Sequence, residues 1–153
     1  MIWLWLAAAG VVASAALVAA RQRIARIWLA VRVDGHSMAP TLRHGQRLVV
    51  RRKRSGARVA RGDVIVFGVS TTPAMPVDVD FLIKRVAGVA GDSIPEWLGA
   101  RRELSHLTHI PEGYCIVVGD NAGRSQDSRQ LGLVPETSIQ AVVSLPARPK
   151  VTK

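Results

Sequence analysis

A serine and a lysine have the clearest capacity for chemistry in this chain. Ser37 lies in the turn-forming segment GHSMAPTL, residues 35–42. A serine hydroxyl is a weak nucleophile until a neighbouring base removes its proton. His36 directly precedes it, but adjacent side chains of an extended chain point to opposite sides, so His36 is badly placed to act as that base. His44 lies in the turn-like segment LRHGQ, and no sequence signature of a Ser-His-Asp triad accompanies it.

Lys84 is the one lysine in an apolar context, the segment DFLIKRVAGVAGDS. An unperturbed lysine, with a pKa of about 10.4, is protonated at neutral pH and is therefore no base. Desolvation lowers that pKa, and Phe81, Leu82 and Ile83 could form the apolar surroundings that it needs. From the residues alone a second interpretation stays open, in which a lysine after a strand extends to solvent.

Other reactive residues give weaker signals. The single cysteine, Cys115, excludes an internal disulfide and a multi-cysteine zinc site, and its apolar neighbours favour a buried structural role. His106 and His109 are three residues apart, but no cysteine or clear acidic partner accompanies them. We therefore expect neither a metal ion nor another cofactor.

The elements that must position Ser37 and Lys84 are predicted to be strands. Beyond residue 33 the chain alternates short Val- and Ile-rich runs with Gly, Pro, Asp and Arg, and no long amphipathic helix is evident. Such runs predict a mostly β domain over residues 27–153. The candidate strands are Arg47–Arg51, Val64–Phe67, Phe81–Val86, Tyr114–Val118 and Ile139–Leu145. Residues 51–61 and 70–80 are predicted to be loops.

The N-terminal segment differs in character. Residues 2–20 carry no charge, Trp3 and Trp5 lie near one end, and Arg21, Arg23 and Arg26 close the other. A helix of this length spans about 28 Å, so the pattern predicts a transmembrane helix with a basic flank, residues 1–26. A cleavable signal peptide and a buried soluble helix are the alternatives, although the charged N-terminal region of the first and the polar face of the second are missing.

The net charge of +10 indicates a polyanionic partner, which could be nucleic acid or an anionic membrane surface. Aromatic residues make up only 5% of the chain, and three of the four tryptophans fall within the first 28 residues. A base-stacking surface needs aromatic side chains among its basic residues. The composition therefore favours the lipid bilayer over nucleic acid as the partner.

Four blocks taken together resemble a known family. GHSMAPTL, RGDVIVF, KRVAGVAGDS and GDNAGRSQDSRQLGLVP occur in this order within residues 33–143. The chain is similar in these blocks to the type I signal peptidases, membrane-bound serine proteases with a Ser–Lys dyad. The resemblance implies a signal-peptidase-like β catalytic domain that follows one N-terminal transmembrane helix.

The resemblance also implies roles for individual residues. Ser37 matches the nucleophile, Lys84 the general base, Ser125 the serine that orients the base, and Asp127 and Arg129 a charged pair that braces the site. The backbone N–H of Ser37 is expected to bind the oxyanion. The expected substrate-pocket residues are Val33, Gly35, Met38, Leu42, Leu48, Leu82 and Ile83. Gly35 stands where some relatives carry a serine that also binds the oxyanion, so backbone donors are expected to do this here.

The implied activity is cleavage of exported preproteins after a small-x-small site such as Ala-x-Ala, without a cofactor. The alternatives are a dedicated maturation or leader peptidase for one exported cargo, and a membrane-anchored domain that binds preproteins without cutting them. The positive-inside rule applied to the arginines after residue 20 places the catalytic domain in the cytoplasm. The family topology implies the extracytoplasmic side of the plasma membrane, which we expect because exported substrates expose their cleavage sites there. The oligomeric state is not predicted.

Overall fold

A computed structural model describes residues 2–54, 56–70, 79–99 and 104–144. The described part is a mostly β domain preceded by a long helix, as the apolar runs predict. The helices are α1 (Ile2–Ile27), α2 (Glu96–Gly99) and α3 (Ser128–Leu131). The strands are β1 (Trp28–Arg32), β2 (Arg47–Arg52), β3 (Val64–Ser70), β4 (Val79–Gly88), β5 (Tyr114–Val118), β6 (Val134–Pro135) and β7 (Ile139–Val143).

The strands form one seven-stranded antiparallel sheet in the order β1-β2-β7-β3-β4-β5-β6. Strand β3 is central, and its side chains alternate between two hydrophobic clusters. Val64 and Val66 belong to the first cluster, whereas Ile65 and Phe67 belong to the second. Because both faces of β3 are buried, it gives its neighbour β4 a rigid support along seven paired positions.

Two sequence expectations need correction. Strands β1 and β6 lie in segments for which no strand was expected. Ser70 and the pair Val79–Asp80 belong to β3 and β4, although residues 70–80 were expected to form a loop. Strand pairing extends both ends of that segment, since β3 and β4 are joined in register from Val64↔Arg85 to Ser70↔Val79. Residues 71–78 lie outside the described residues.

Helix α1 runs to Ile27 and continues directly into β1. Its last turn is attached to the sheet, because the Arg52 guanidinium Nε donates a 3.1 Å hydrogen bond to the Ala25 carbonyl. Within the part of the chain that the structure describes, no helix combines the length and the apolar character needed to cross a membrane. The transmembrane assignment of residues 2–20 therefore stays a prediction from the sequence.

Candidate active site

Ser37 is held in a turn that follows β1 and is anchored on both sides. Met38 and Leu42, which follow it, are buried in the first hydrophobic cluster, and the Leu42 N–H closes the turn on the Met38 carbonyl at 2.9 Å. The Ser37 carbonyl accepts a 2.9 Å hydrogen bond from the N–H of Asn121. The backbone of the turn is therefore held in place, and this restricts the position of the Ser37 hydroxyl.

Lys84 reaches Ser37 from β4. The lysine is only 2% exposed and pairs across the sheet with Ile65, a residue of the second cluster. Its Nζ lies 2.9 Å from Ser37 Oγ and also donates a 3.1 Å hydrogen bond to the Ile83 carbonyl. The structure thus brings together the two residues that the sequence singled out, although 47 positions separate them.

The surroundings of Lys84 favour its neutral form. Burial lowers the pKa of its amine below the ordinary lysine value, and the nearby Asp127 carboxylate opposes this only in part. In the ammonium state Nζ donates to Ser37 Oγ, whereas a neutral amine at the same distance accepts the Ser37 proton. The geometry therefore suits proton transfer from the hydroxyl to the amine.

Asp127 is completely buried and forms the centre of a hydrogen-bond network. Desolvation disfavours its ionised form, but hydrogen bonds from Arg129, the Gly119 N–H and the Ser125 hydroxyl outweigh this and hold the Asp127 pKa well below its usual range. Arg129 donates through Nε at 2.9 Å and Nη2 at 2.8 Å. The predicted charged pair is thus present as a bidentate ion pair. Asp127 is also the N-cap of α3, because its carboxylate accepts a hydrogen bond from the backbone N–H of Arg129.

Ser125 lies beside the pair but has a different partner from the one that the resemblance implies. Its hydroxyl donates a 2.7 Å hydrogen bond to Asp127 Oδ2, and within the described residues it forms none with Lys84. The hydroxyl proton is thus used by a strong, charged acceptor, whereas the acceptor lone pairs of the Ser125 oxygen receive no hydrogen bond from Lys84 within the described residues. Gly119 packs closely against both Ser125 and the nucleophile turn, since a Cβ on Gly119 would lie 2.2 Å from Ser125 Oγ and 2.6 Å from the Ser37 carbonyl oxygen.

A second ion pair braces the site, and the sequence reasoning missed its arginine. Arg85 follows the lysine on β4 and binds both Asp120 oxygens, at 2.8 Å and 2.7 Å. The hydroxyl of Thr41, in the nucleophile turn, donates to the same carboxylate. This network ties the turn of Ser37 to the strand of Lys84. The adjacent letters KR in the third block were the available signal.

Several backbone N–H groups near Ser37 donate no hydrogen bond within the described residues, and that of Ser37 is one of them. Within the described residues the Ser37 N–H has no acceptor, whereas the Gly35 N–H donates to His44 Nδ1 at 3.1 Å. The His36 ring stacks on the His44 ring with centroids 5.6 Å apart. His36 therefore contacts His44 and not Ser37 Oγ, and the Ser37 N–H is available to a developing oxyanion.

An apolar cleft of about 570 Å³ leads to Ser37 and Lys84. Strand β1 and the start of β4 form its two walls. Of the seven expected pocket residues, Val33, Met38, Leu82 and Ile83 line the cleft. The lining does not include Gly35, Leu42 or Leu48, because Leu42 is buried in the core, Leu48 packs against the same cluster, and Gly35 lies in the turn bonded to His44. Residues that line it without having been expected are Leu29, Ala30, Val31, Arg32, Asp34, Arg52, Val66, Phe81 and Gln140.

Comparison with known proteins gives a consistent result. The family model described as signal peptidase, peptidase S26, matches residues 3–96 and 94–147. The mitochondrial ATP-independent inner membrane protease subunit 1b of Arabidopsis thaliana is 36% identical over 112 residues, 71% of this chain and 63% of the relative. Signal peptidase IB of Staphylococcus aureus (strain COL) is 29% identical over 149 residues, 73% of each chain.

A crystal structure of a signal peptidase I from Enterococcus faecalis V583 has 26% identity and a TM-score of 0.39, covering 57% of this chain and 98% of its own. The chain spans less than two thirds of the length of the Arabidopsis relative. The family model covers nearly all of the sequence, including the Ser37 turn, the Lys84 strand and the Asp127 network. The chain belongs to the signal peptidase family, peptidase S26.

Proposed function

We propose that the protein is a serine endopeptidase that removes signal peptides from exported preproteins, with Ser37 as nucleophile and Lys84 as general base. One observation carries the proposal: a lysine that is 2% exposed lies 2.9 Å from a serine hydroxyl at one end of an apolar cleft. Family membership supports the same activity. Thr108 Oγ1 also lies 3.0 Å from His109 Nδ1, but neither of these residues lines the cleft.

In the first half of the reaction, neutral Lys84 takes the Ser37 proton as Oγ forms a bond with the scissile carbonyl carbon. The carbonyl electrons move to oxygen, and the Ser37 N–H donates to the resulting oxyanion. Collapse of the tetrahedral intermediate breaks the C–N bond. The Lys84 ammonium gives its proton to the departing amine, which leaves an acyl-enzyme and a neutral lysine.

In the second half, a water molecule replaces the amine. Lys84 takes one proton from this water as its oxygen attacks the acyl carbon. Collapse of the second intermediate breaks the bond to Ser37 Oγ, which regains a proton from Lys84. The free peptide acid leaves and the starting state of both residues is restored, so the cycle uses only groups of this chain and water.

The cleft supports a preference for small side chains near the scissile bond. Val33, Met38, Leu82 and Ile83 line it, and all are apolar. Because Val33 and Met38 are buried in the first cluster, they have little room to move aside for a large substrate side chain. This arrangement fits cleavage after an Ala-x-Ala-like sequence.

We further propose that residues 2–20 anchor the protein in the plasma membrane by one span, with the catalytic domain outside the cytoplasm. The uncharged sequence and the interfacial tryptophans support the anchor. The arginines after residue 20 favour the opposite orientation, whereas the accessible cleavage sites of exported substrates favour this one. A reporter fused after Lys153 decides between them, since activity confined to the cytoplasm would contradict the proposed orientation.

The activity is tested with a purified preprotein that carries an Ala-x-Ala site. The unsubstituted protein is expected to cut after the second alanine, and Ser37→Ala and Lys84→Ala are each expected to abolish cutting. Lys53→Ala is the control, because Lys53 is not among the residues that line the cleft and its Nζ binds Glu136. Cleavage retained by either active-site variant would overturn the dyad. A panel of unrelated preproteins separates a general peptidase from a dedicated one.

A further inference from the structure

The cleft has two chemically different ends. Ser37 and Lys84 lie at one end. Val33 and Lys84, the last residues that the β1 wall and the β4 wall contribute to the lining, lie at the same end. Both strands run towards this end, so the earlier residues Leu29 and Phe81 mark the other. An arginine, Arg52, also lines the cleft and lies on β2 just beyond the paired positions of β1.

The Arg52 side chain is directed inwards and fixed. On β2 the exposed and less exposed residues alternate, so Arg52 shares its face with Leu48 and Val50, whereas Arg51 is exposed on the opposite face. Its Nε donates to the carbonyl of Ala25 in the last turn of α1, a favourable site for a cation. This hydrogen bond orients the guanidinium and leaves its terminal nitrogens for another partner.

The terminal nitrogens of Arg52 have no acceptor within the part of the chain that the structure describes. By contrast, Arg85 and Arg129 each hold a carboxylate with two nitrogens. Gln140 lines the cleft as well, and its side-chain amide has no hydrogen-bond partner among the described residues. The end of the cleft remote from Ser37 thus offers a half-buried cation and an amide to whatever occupies it.

The proposed function fixes which part of a substrate reaches this end. A signal peptide lies before the scissile bond and its apolar segment lies in the membrane, while β1 follows α1 directly. The substrate residues before the scissile bond therefore run from Ser37 towards α1. An extended peptide beside residues 29–33 of β1 places about five of its own residues along the wall, since strands advance about 3.3 Å per residue.

We propose that Arg52 is a specificity-determining residue that favours an acidic side chain about five residues before the scissile bond. The inference rests on the proposed function. A carboxylate there accepts two parallel hydrogen bonds from the terminal guanidinium nitrogens, with Gln140 as an additional donor. The preference lies beyond the small side chains selected next to Ser37, so it adds a second criterion to substrate choice.

The test uses the full chain in detergent and peptides with an Ala-x-Ala site that differ only at the fourth, fifth or sixth residue before the cut. Each position carries Asp, Asn, Ala or Lys in turn, and kcat/KM is measured. The unsubstituted protein is expected to cut the best Asp peptide about tenfold faster than the matched Lys peptide, because the contact is charged and half-buried. Arg52→Glu is expected to reverse this order.

Two further variants make the result specific. Arg51→Glu changes the net charge equally but lies on the outer face, and it is expected to keep the original order. Arg52→Lys keeps the charge and is expected to retain the Asp preference in reduced form. Equal cutting of the Asp and Lys peptides by the unsubstituted protein, or an order unchanged in Arg52→Glu, overturns the subsite alone. Failure to cut the Ala peptide as well overturns the proposed function.

Discussion

Lys53 and Lys84 are two largely buried lysines of the same sheet domain with opposite surroundings. The Lys53 side chain is 11% exposed, donates to the Glu136 carbonyl at 3.0 Å and lies 3.6 Å from the Glu136 carboxylate. Lys84 is less exposed, and within the described residues its Nζ forms hydrogen bonds with the Ser37 hydroxyl and the Ile83 carbonyl alone. No ion pair of Lys84 is present among the described residues.

The difference lies in what faces each amine. A carboxylate lies beside the Lys53 amine, whereas a hydroxyl lies beside that of Lys84. Asp127 is close enough to Lys84 to interact with it through space, but it forms no ion pair with the lysine. The Asp127 carboxylate instead accepts hydrogen bonds from Arg129, Gly119 and Ser125. The negative charge of Asp127 is thereby balanced by Arg129, and burial has the larger effect on the pKa of Lys84.

The largest expected effect concerns activity. Lys84→Ala is predicted to reduce kcat/KM by about 1,000-fold or more, because it removes the amine that lies at hydrogen-bond distance from Ser37 Oγ and is the proposed base. Lys53→Ala is the matched variant and is predicted to stay within about threefold of the unsubstituted protein. Steady-state cleavage of one preprotein measures both. Similar losses in the two variants would contradict the role of Lys84, because a buried lysine without contact to Ser37 would then matter as much.

The next effect concerns the charged pair that shields Lys84. Arg129→Met leaves the fully buried Asp127 carboxylate without its ion pair and is predicted to lower the free energy of unfolding by about 2 to 3 kcal/mol. Arg58→Met is the control, since Arg58 and Glu112 are both highly exposed at 3.9 Å, and it is predicted to change little. Urea unfolding at pH 7 measures both.

The loss in Arg129→Met has a defined pH dependence. The Asp127 pKa is depressed in the folded state, so its stabilisation is present above the unfolded value of about 3.9 and disappears as pH falls through the folded value. The difference between Arg129→Met and the unsubstituted protein is therefore predicted to shrink in acid. A difference that grows below pH 4 would contradict the assignment of Asp127 as the stabilising charge.

A smaller expected effect concerns the free energy of unfolding, which changes in opposite directions when the two lysines are replaced. The lowered pKa of Lys84 means that the unfolded state binds its proton more tightly, so at neutral pH the folded state is destabilised and stability rises towards pH 10. Lys84→Met is predicted to raise the free energy of unfolding by about 1 to 2 kcal/mol, whereas Lys53→Met lowers it by about as much by leaving Glu136 unpaired. Equal signs in urea unfolding would refute the contrast.

The smallest effect lies on the serine side of the pair. Gly35 has φ +84°, a conformation in which a side chain is strained although nothing lies within 4 Å of an added Cβ. Gly35→Ser is predicted to cost about 1 kcal/mol of stability without increasing kcat. Gly123→Ser is the control, since the space around Gly123 is equally open and its φ is ordinary. A several-fold rise in kcat would show that a hydroxyl at position 35 assists the oxyanion.

The sequence predicted the central strands well because their apolar runs are self-contained. Tyr114–Val118 is a strand with the expected bounds, and β3 begins at Val64 as expected. Strand β1 was missed because Trp28–Arg32 continues the apolar and basic character of the preceding segment. Only its pairing with Arg47–Arg51, distant in sequence, makes it a strand. The wall of the cleft that β1 supplies was therefore missed with it.

The residues of the site were likewise predicted in part. Ser37, Lys84, Asp127 and Arg129 were found because each lies in a block of residues that resembles a family. The partner of Ser125 was not predictable, since the hydrogen bond that its hydroxyl donates depends on how Ser125 is placed beside Asp127 in three dimensions. The Arg85–Asp120 pair joins residues 35 positions apart, and Arg52 depends on the direction of its strand face. Sequence patterns carry none of these relations.

Lys84 is proposed to be a desolvated amine that deprotonates Ser37, and the decisive measurement is the titration of that amine. The chain has four lysines, Lys53, Lys84, Lys150 and Lys153, so side-chain carbon NMR of lysine-labelled protein resolves few signals, and Lys84→Arg assigns one of them. The Lys84 signal is predicted to titrate below the ordinary lysine pKa of about 10.4. Titration at or above that value would contradict the account, because the amine would then be protonated when Ser37 needs a base.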